Sequence, residues 1–171
     1  MSPPLALWPG HVGANEGAVV EGRRESTLTD DLAAACYLAA ARRDLPAVVL
    51  GGGSYDARAQ ACSTLGASLV LHLHLDVGSP AIYHYGSGPG ELAARRLAAA
   101  LMPVWPLPVR VATPTGYPRA RALLSLTRAP AVLLELADLR DGDQVARLLA
   151  LREAIGEAVV AGGANAATET G

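Results

Sequence analysis

The sequence has no lysine and no phenylalanine, only two cysteines, and an aromatic content of just 4%. Two cysteines, Cys36 and Cys62, are too few for a disulfide framework, and neither has the Cys-x-x-Cys partner that metal binding or redox exchange would use. Both lie in Ala-rich stretches and read as small buried apolar side chains. No apolar run approaches the roughly 20 residues needed to span a bilayer. Met1 to Trp8 lacks the basic start and long apolar stretch of a secretory signal, so no signal peptide is expected. All 14 basic residues are arginine and the net charge is −2, which gives no electrostatic case for nucleic acid or an anionic membrane as partner. The absence of lysine itself carries no functional reading.

What is present is a chain of 171 residues, 51% hydrophobic and 18% charged. That length suits one domain burying roughly two-thirds of its unfolded surface. Apolar runs at about 4–8, 46–50, 68–75, 81–85, 109–111, 123–127 and 131–136 predict strands. Helical spacing predicts helices over about 27–43, 56–65, 91–101 and 141–161, the first capped by Thr27 with Asp30 and the second closed by Gly66. This alternation predicts an α/β layer sandwich. Residues 1–161 form the expected domain, and 162–171 (Gly-Gly-Ala-Asn-Ala-Ala-Thr-Glu-Thr-Gly) an expected low-complexity, frayed tail.

Three of the apolar runs end in a chemically capable residue. Leu5 to Gly10 leads into His11, Leu69 to Leu73 into His74, and Ala131 to Leu134 into Glu135. Sites in open α/β sheets gather at the carboxyl ends of strands, so two imidazoles and a carboxylate there make a hydrolytic metal site plausible. In the 68–75 strand, Val70, His72, His74 and Asp76 share one face and Leu69, Leu71, Leu73 and Leu75 the other. Two imidazoles on a face that is normally apolar are costly to bury without a hydrogen bond or a metal. Glu135, closing an apolar run, suits a general acid/base of raised pKa, the alternative being a strand-end carboxylate facing solvent.

Four segments resemble, in order, the motifs of the type 3 zinc-dependent N-acetylmuramoyl-L-alanine amidases. Trp8-Pro9-Gly10-His11-Val12-Gly13 is similar to that family's Asp-Pro-Gly-His-Gly-Gly. Glu25-Ser-Thr-Leu28-Thr-Asp-Asp-Leu32 resembles a helix opened by Glu. Ser68 to Asp76 resembles an apolar strand ending Ser-Ile-His-Ala-Asn, and Pro130 to Leu136 resembles Pro-Ala-Val-Leu-Val-Glu. The resemblance implies a single twisted, mostly parallel sheet with helices on both faces. It implies zinc held by His11, Glu25 and His74, with Glu135 as catalytic acid/base. The reaction implied is hydrolysis of the amide between the lactyl group of N-acetylmuramic acid and L-alanine in peptidoglycan. Glu25 is favoured over Glu21 and Glu16 because its 14-residue spacing from His11 is close to the family's and because it opens a helix in register.

The departures from that pattern are Trp8 for Asp, His72 for Ser and Asp76 for Asn. His72 shares a face with His74 about 6.6 Å away along the strand; it is expected to hydrogen-bond a neighbouring polar group, the alternative being a competing metal ligand. His84, between Tyr83 and Tyr85, has no counterpart and reads first as a strand or surface histidine, second as a substrate contact. The expected partner is peptidoglycan or a muropeptide, with the chain a monomer made in the cytoplasm and acting on the cell wall, either as a phage-type lysis enzyme or with its anchoring supplied elsewhere. The competing readings are an inactive amidase-like binding domain and a zinc hydrolase of another amide whose substrate is set by Pro103–Pro118.

Overall fold

The computed structural model of the chain describes residues 2–11, 15–76, 78–86 and 88–169. Val12 and Gly13 of the first motif lie outside the described residues. The elements run β1 (Leu5–Pro9), β2 (Val19–Val20), β3 (Arg23–Arg24), α1 (Glu25–Arg42), β4 (Ala47–Val49), α2 (Tyr55–Leu65) and β5 (Leu69–Asp76). They continue with β6 (Ala81–His84), α3 (Pro89–Leu101), β7 (Arg110–Ala112), α4 (Pro118–Ser125), β8 (Ala131–Asp138) and α5 (Gly142–Glu169).

Six strands form one sheet in the order β4-β1-β5-β8-β6-β7. All neighbours pair in parallel except β6 and β8, which are antiparallel. The fold is therefore α/β with a mostly parallel sheet. Alternation of side chains splits the core in two. Leu5, Leu7, Leu69, Leu71, Leu73, Val132 and Leu134 pack with α1, α3 and α5 on one face. On the other, Ala6, Trp8, Val70, Ala131 and Leu133 pack with Ala59 and Cys62 of α2 and Ala120 and Leu124 of α4. His72, His74 and Glu135 belong to this second face by the same alternation. No helix among the described residues is long and apolar enough to cross a membrane.

Three local expectations are corrected. First, α1 begins at Glu25, with Arg24 as an N-cap that makes no side-chain hydrogen bond, so Thr27 does not cap it. A hairpin leads into the helix. Glu21 and Gly22 take φ of 50° and 78°, as a two-residue turn with two left-handed positions requires. Second, 123–127 is not a strand, because α4 occupies 118–125. Pro118 stands at its first turn, where proline's fixed φ favours a helix, and Ala120 and Leu124, one turn apart, are its buried positions.

Third, α5 continues to Glu169, through the segment expected to fray. Gly162 and Gly163 are packing residues here. A Cβ on Gly162 would lie 3.0 Å from Leu97 Cα and 3.1 Å from Arg96 O, and one on Gly156 would lie 2.8 Å from Ala35 C. Glycine thus lets α5 lie directly against α1 and α3, and the contact with neighbouring backbone holds the helix together where propensity alone would end it.

Candidate metal centre and cleft

The carboxyl ends of β1 and β5 and the first residue of α1 converge. His11 follows β1, and its φ of 53° is a left-handed value unusual for a side-chain-bearing residue. Its Nδ1 lies 3.1 Å from Asn15 Oδ1. With that carbonyl oxygen accepting, the ring proton sits on Nδ1 and Nε2 offers its lone pair. Nε2 is 3.4 Å from Glu25 Oε2. His74 Nδ1 is 3.1 Å from Glu25 Oε1, and the two imidazoles meet edge to face at 5.2 Å between ring centres. One donor atom from each of His11, Glu25 and His74 can be chosen so that all lie within 4.8 Å of one another.

Glu25 is held from several sides. Oε1 accepts the Leu75 N–H at 3.2 Å and Oε2 the Ala18 N–H at 3.1 Å. Its place in the first helical turn also favours a carboxylate, because the helix N-terminus is positively polarised. Burial pushes the Glu25 pKa up, but the His74 contact, the Ala18 N–H and the imidazole charges outweigh it, so the carboxyl titrates below its ordinary value. The two alternatives are engaged elsewhere: Glu16 pairs with Arg24 at 3.1 Å and Glu21 with Arg23 at 2.6 Å.

Two glycines make room for the cluster. A Cβ on Gly10 would come within 2.5 Å of the His74 ring, and one on Gly17 within 2.6 Å of His11 and 2.7 Å of Glu25. The Thr29 hydroxyl, one turn along α1 from Glu25, donates to Gly10 O at 2.7 Å and ties the turn before His11 to the helix.

Glu135 pairs in register with His74 across β5 and β8 and is 4% exposed. It joins His11, His74, Tyr55, Tyr117 and Arg119 in lining a cleft of about 610 Å³. The four residues singled out in the sequence are thus gathered at one edge of the sheet. Sequence reasoning missed the cleft wall: Asn15 from the loop, Tyr55 from α2, and Tyr117 and Arg119 from the start of α4. It also missed Arg58, which is 5% exposed, donates from Nη1 to Pro9 O at 3.0 Å, and lies over the rings of Trp8 at 5.1 Å and Tyr55 at 5.4 Å. The available signal was a lone Arg in an Ala-rich helix, one turn before the buried Cys62.

The two strand departures touch each other. Trp8 and His72 are register partners across β1 and β5, with rings 4.6 Å apart. His72 is fully buried, and neither ring nitrogen has a hydrogen-bond partner among the described residues, which corrects the expected polar contact. Burial, with the neighbouring His74 and Arg58 charges, lowers its pKa to about 3, so the ring is neutral and packs as an aromatic surface. His84 is a strand histidine at 6% exposure, with Nδ1 2.9 Å from Gly86 O. It lies on the sheet face opposite Tyr83 and does not line the cleft.

No protein-family model matches the chain, and no curated protein matches it. Solved structures do. An N-acetylmuramoyl-L-alanine amidase from Clostridium difficile 630 superposes with a TM-score of 0.85 at 16% identity, over 99% of this chain and 100% of that one. The catalytic domain of CwlV, an N-acetylmuramoyl-L-alanine amidase from Bacillus (Paenibacillus) polymyxa var. colistinus, gives 0.82 at 16% identity over 99% and 100%. The apo form of the amidase Ami1 from Mycobacterium abscessus gives 0.78 at 18% identity over 95% and 97%. The chain has the fold of these amidases along nearly its whole length.

Proposed function

We propose that this chain is a zinc-dependent N-acetylmuramoyl-L-alanine amidase, hydrolysing the bond between the lactyl group of N-acetylmuramic acid and L-alanine in peptidoglycan. The observation that carries the reading is the His11–Glu25–His74 cluster beside Glu135, at the carboxyl edge of a sheet shared in architecture with amidases. The α/β body as a whole is the catalytic domain in this reading.

The residues suit zinc. Two imidazoles and one carboxylate are a donor set that leaves a tetrahedral ion one open position. His74 Nε2 is buried without a hydrogen-bond partner among the described residues, an expensive state for a polar atom that a ligand would relieve. Gly10 and Gly17 keep the donors close together. Zinc bound by these three residues would supply a Lewis acid that polarises the amide carbonyl and makes water a stronger acid.

The remaining chemistry belongs to the protein. Glu135 accepts a proton from the attacking water and returns it to the departing nitrogen of L-alanine, because an amine leaves poorly until protonated. Asn15 fixes the His11 tautomer, and the Leu75 and Ala18 N–H groups hold the Glu25 carboxylate. Tyr55, Tyr117 and Leu133 would present apolar surface along the cleft in which the reacting amide is placed.

Purified peptidoglycan incubated with the protein should release new amino termini of L-alanine, and a chelator should stop the release until zinc is restored. Amino termini of another residue, or release indifferent to chelator, would overturn the reading.

A further inference from the structure

Between Glu91 and Glu135 the sequence contains six arginines and no acidic residue, although the chain as a whole is slightly negative. This stretch builds one side of the cleft. Its Tyr117 lines the main cleft and also a second one of about 340 Å³, bounded by Tyr85, Thr113, Thr115, Pro118 and Arg121. The two are neighbours across one tyrosine ring, itself packed edge to face on Tyr83 at 5.8 Å.

The two arginines that line these clefts, Arg119 and Arg121, stand apart from the other charges of the stretch. Among the described residues, Arg119 and Arg121 make no ion pair, whereas Arg23, Arg24, Arg42, Arg43, Arg95 and Arg140 each pair with a carboxylate. Arg121 is held by a neutral group: Nη2 donates to Tyr85 Oη at 3.1 Å, and the guanidinium lies 5.2 Å from that ring's centre. A hydrogen bond and a ring contact of this kind restrain a guanidinium and leave its remaining N–H groups for a bidentate acceptor. The Thr113 and Thr115 hydroxyls, 3.2 Å apart, add uncharged donors at the rim. Among the described residues, no acid lines the second cleft, and Glu135 is the one acid lining the first.

We propose that the cleft beyond Tyr117 is a subsite for the acidic peptide side of the substrate, with Arg121 binding a carboxylate there and Arg119 doing so nearer the metal centre. The assignment rests on the amidase reading, in which the peptide on the nitrogen side of the scissile bond carries free carboxylates a few residues from it. Extended peptide advances about 3.3–3.6 Å per residue, so those carboxylates lie beyond the reacting amide, in the direction an adjacent cleft extends. Specificity for free acid over amide follows, because a side-chain amide cannot accept a bidentate guanidinium contact with full charge.

The test titrates wild-type protein and Arg121→Gln with the dipeptide L-Ala-γ-D-Glu, with its fully amidated form and with inorganic phosphate, following amide chemical shifts. The acid should bind with shifts centred on Tyr85, Thr113 and Thr115. It should bind about tenfold or more weakly to Arg121→Gln, as expected when a charge-assisted contact is lost. Equal binding of acid and amide, or undiminished binding by Arg121→Gln, overturns the subsite. Phosphate binding as strong as the peptide's also overturns it, in favour of a site for a phosphate-bearing polymer. Kinetics on muropeptide separate the two readings. Arg121→Gln should raise KM about tenfold while kcat stays within about threefold, since the lost contact holds ground and transition states alike. Absence of turnover alongside intact acid binding would refute the amidase and leave the subsite standing. Turnover with an unchanged KM would refute the subsite alone.

Discussion

Glu135 stands opposite His74 in the β5–β8 ladder, on the same face of the sheet, and it is not one of the three candidate metal donors. Removing its basicity should therefore separate chemistry from binding. Glu135→Gln keeps the volume but cannot take a proton, so zinc content should stay at the wild-type level. Turnover should meanwhile fall by roughly two to four orders of magnitude, the usual reach of general acid/base catalysis. Activity within a few-fold of wild type would reduce Glu135 to a structural carboxylate. His11, His74 and Glu135 are legible in the sequence because each breaks or closes an apolar run, and because the three runs recur with the same pattern. Glu25 is less so, since only its spacing from His11 and its place at the start of a helix separate it from Glu16 and Glu21. The geometry distinguishes it by giving those two to Arg24 and Arg23. Trp8 and His72 are each visible as departures, but their contact depends on a register that pairs positions 64 residues apart in the chain, which no single stretch of sequence contains.

At the scale of elements, α5 is where local reading and packing disagree most. A Gly-Gly pair normally ends a helix, because glycine costs about 1 kcal/mol relative to alanine in a helix interior. That argument weighs only the backbone of the helix itself. At 162 the space a side chain would fill already holds the Leu97 Cα and the Arg96 carbonyl of α3. Gly162→Val should thus destabilise despite its higher helix propensity, by about 1–3 kcal/mol as overpacking does. Urea unfolding should show a lower midpoint with an unchanged slope, and a midpoint at or above wild type would mean the helices separate there at no cost. The same limit explains α4. Its run Leu123–Thr127 has strand-like composition, and the helix over 118–125 follows from Pro118 at its first turn together with the placement of Ala120 and Leu124 against the second face. Because Tyr117 and Arg119 come with that helix, the misread element also hid the cleft wall.

For the whole molecule, alternation of apolar runs and helical spacing was enough to indicate an α/β sandwich, whereas the order β4-β1-β5-β8-β6-β7 was not readable. Strand order is set by how each crossover packs, and those contacts are long-range. The order matters because it seats β1, β5 and β8 side by side, so that positions 11, 74 and 135 share an edge. It also leaves Gly10 and Gly17 surrounded by the donors. The consequence appears in a saturation scan of the whole chain scored by activity. Positions 10 and 17 should be as intolerant as His11 and His74, though neither contributes a functional atom. Metal affinity tells these classes apart: Gly10→Ala must displace the His74 imidazole, 2.5 Å from the new carbon, and should weaken zinc binding, whereas Glu135→Gln should not. A tolerance map of this protein would therefore trace the volume of the proposed metal centre, with minima as deep at two residues that have no side chain as at the donors themselves.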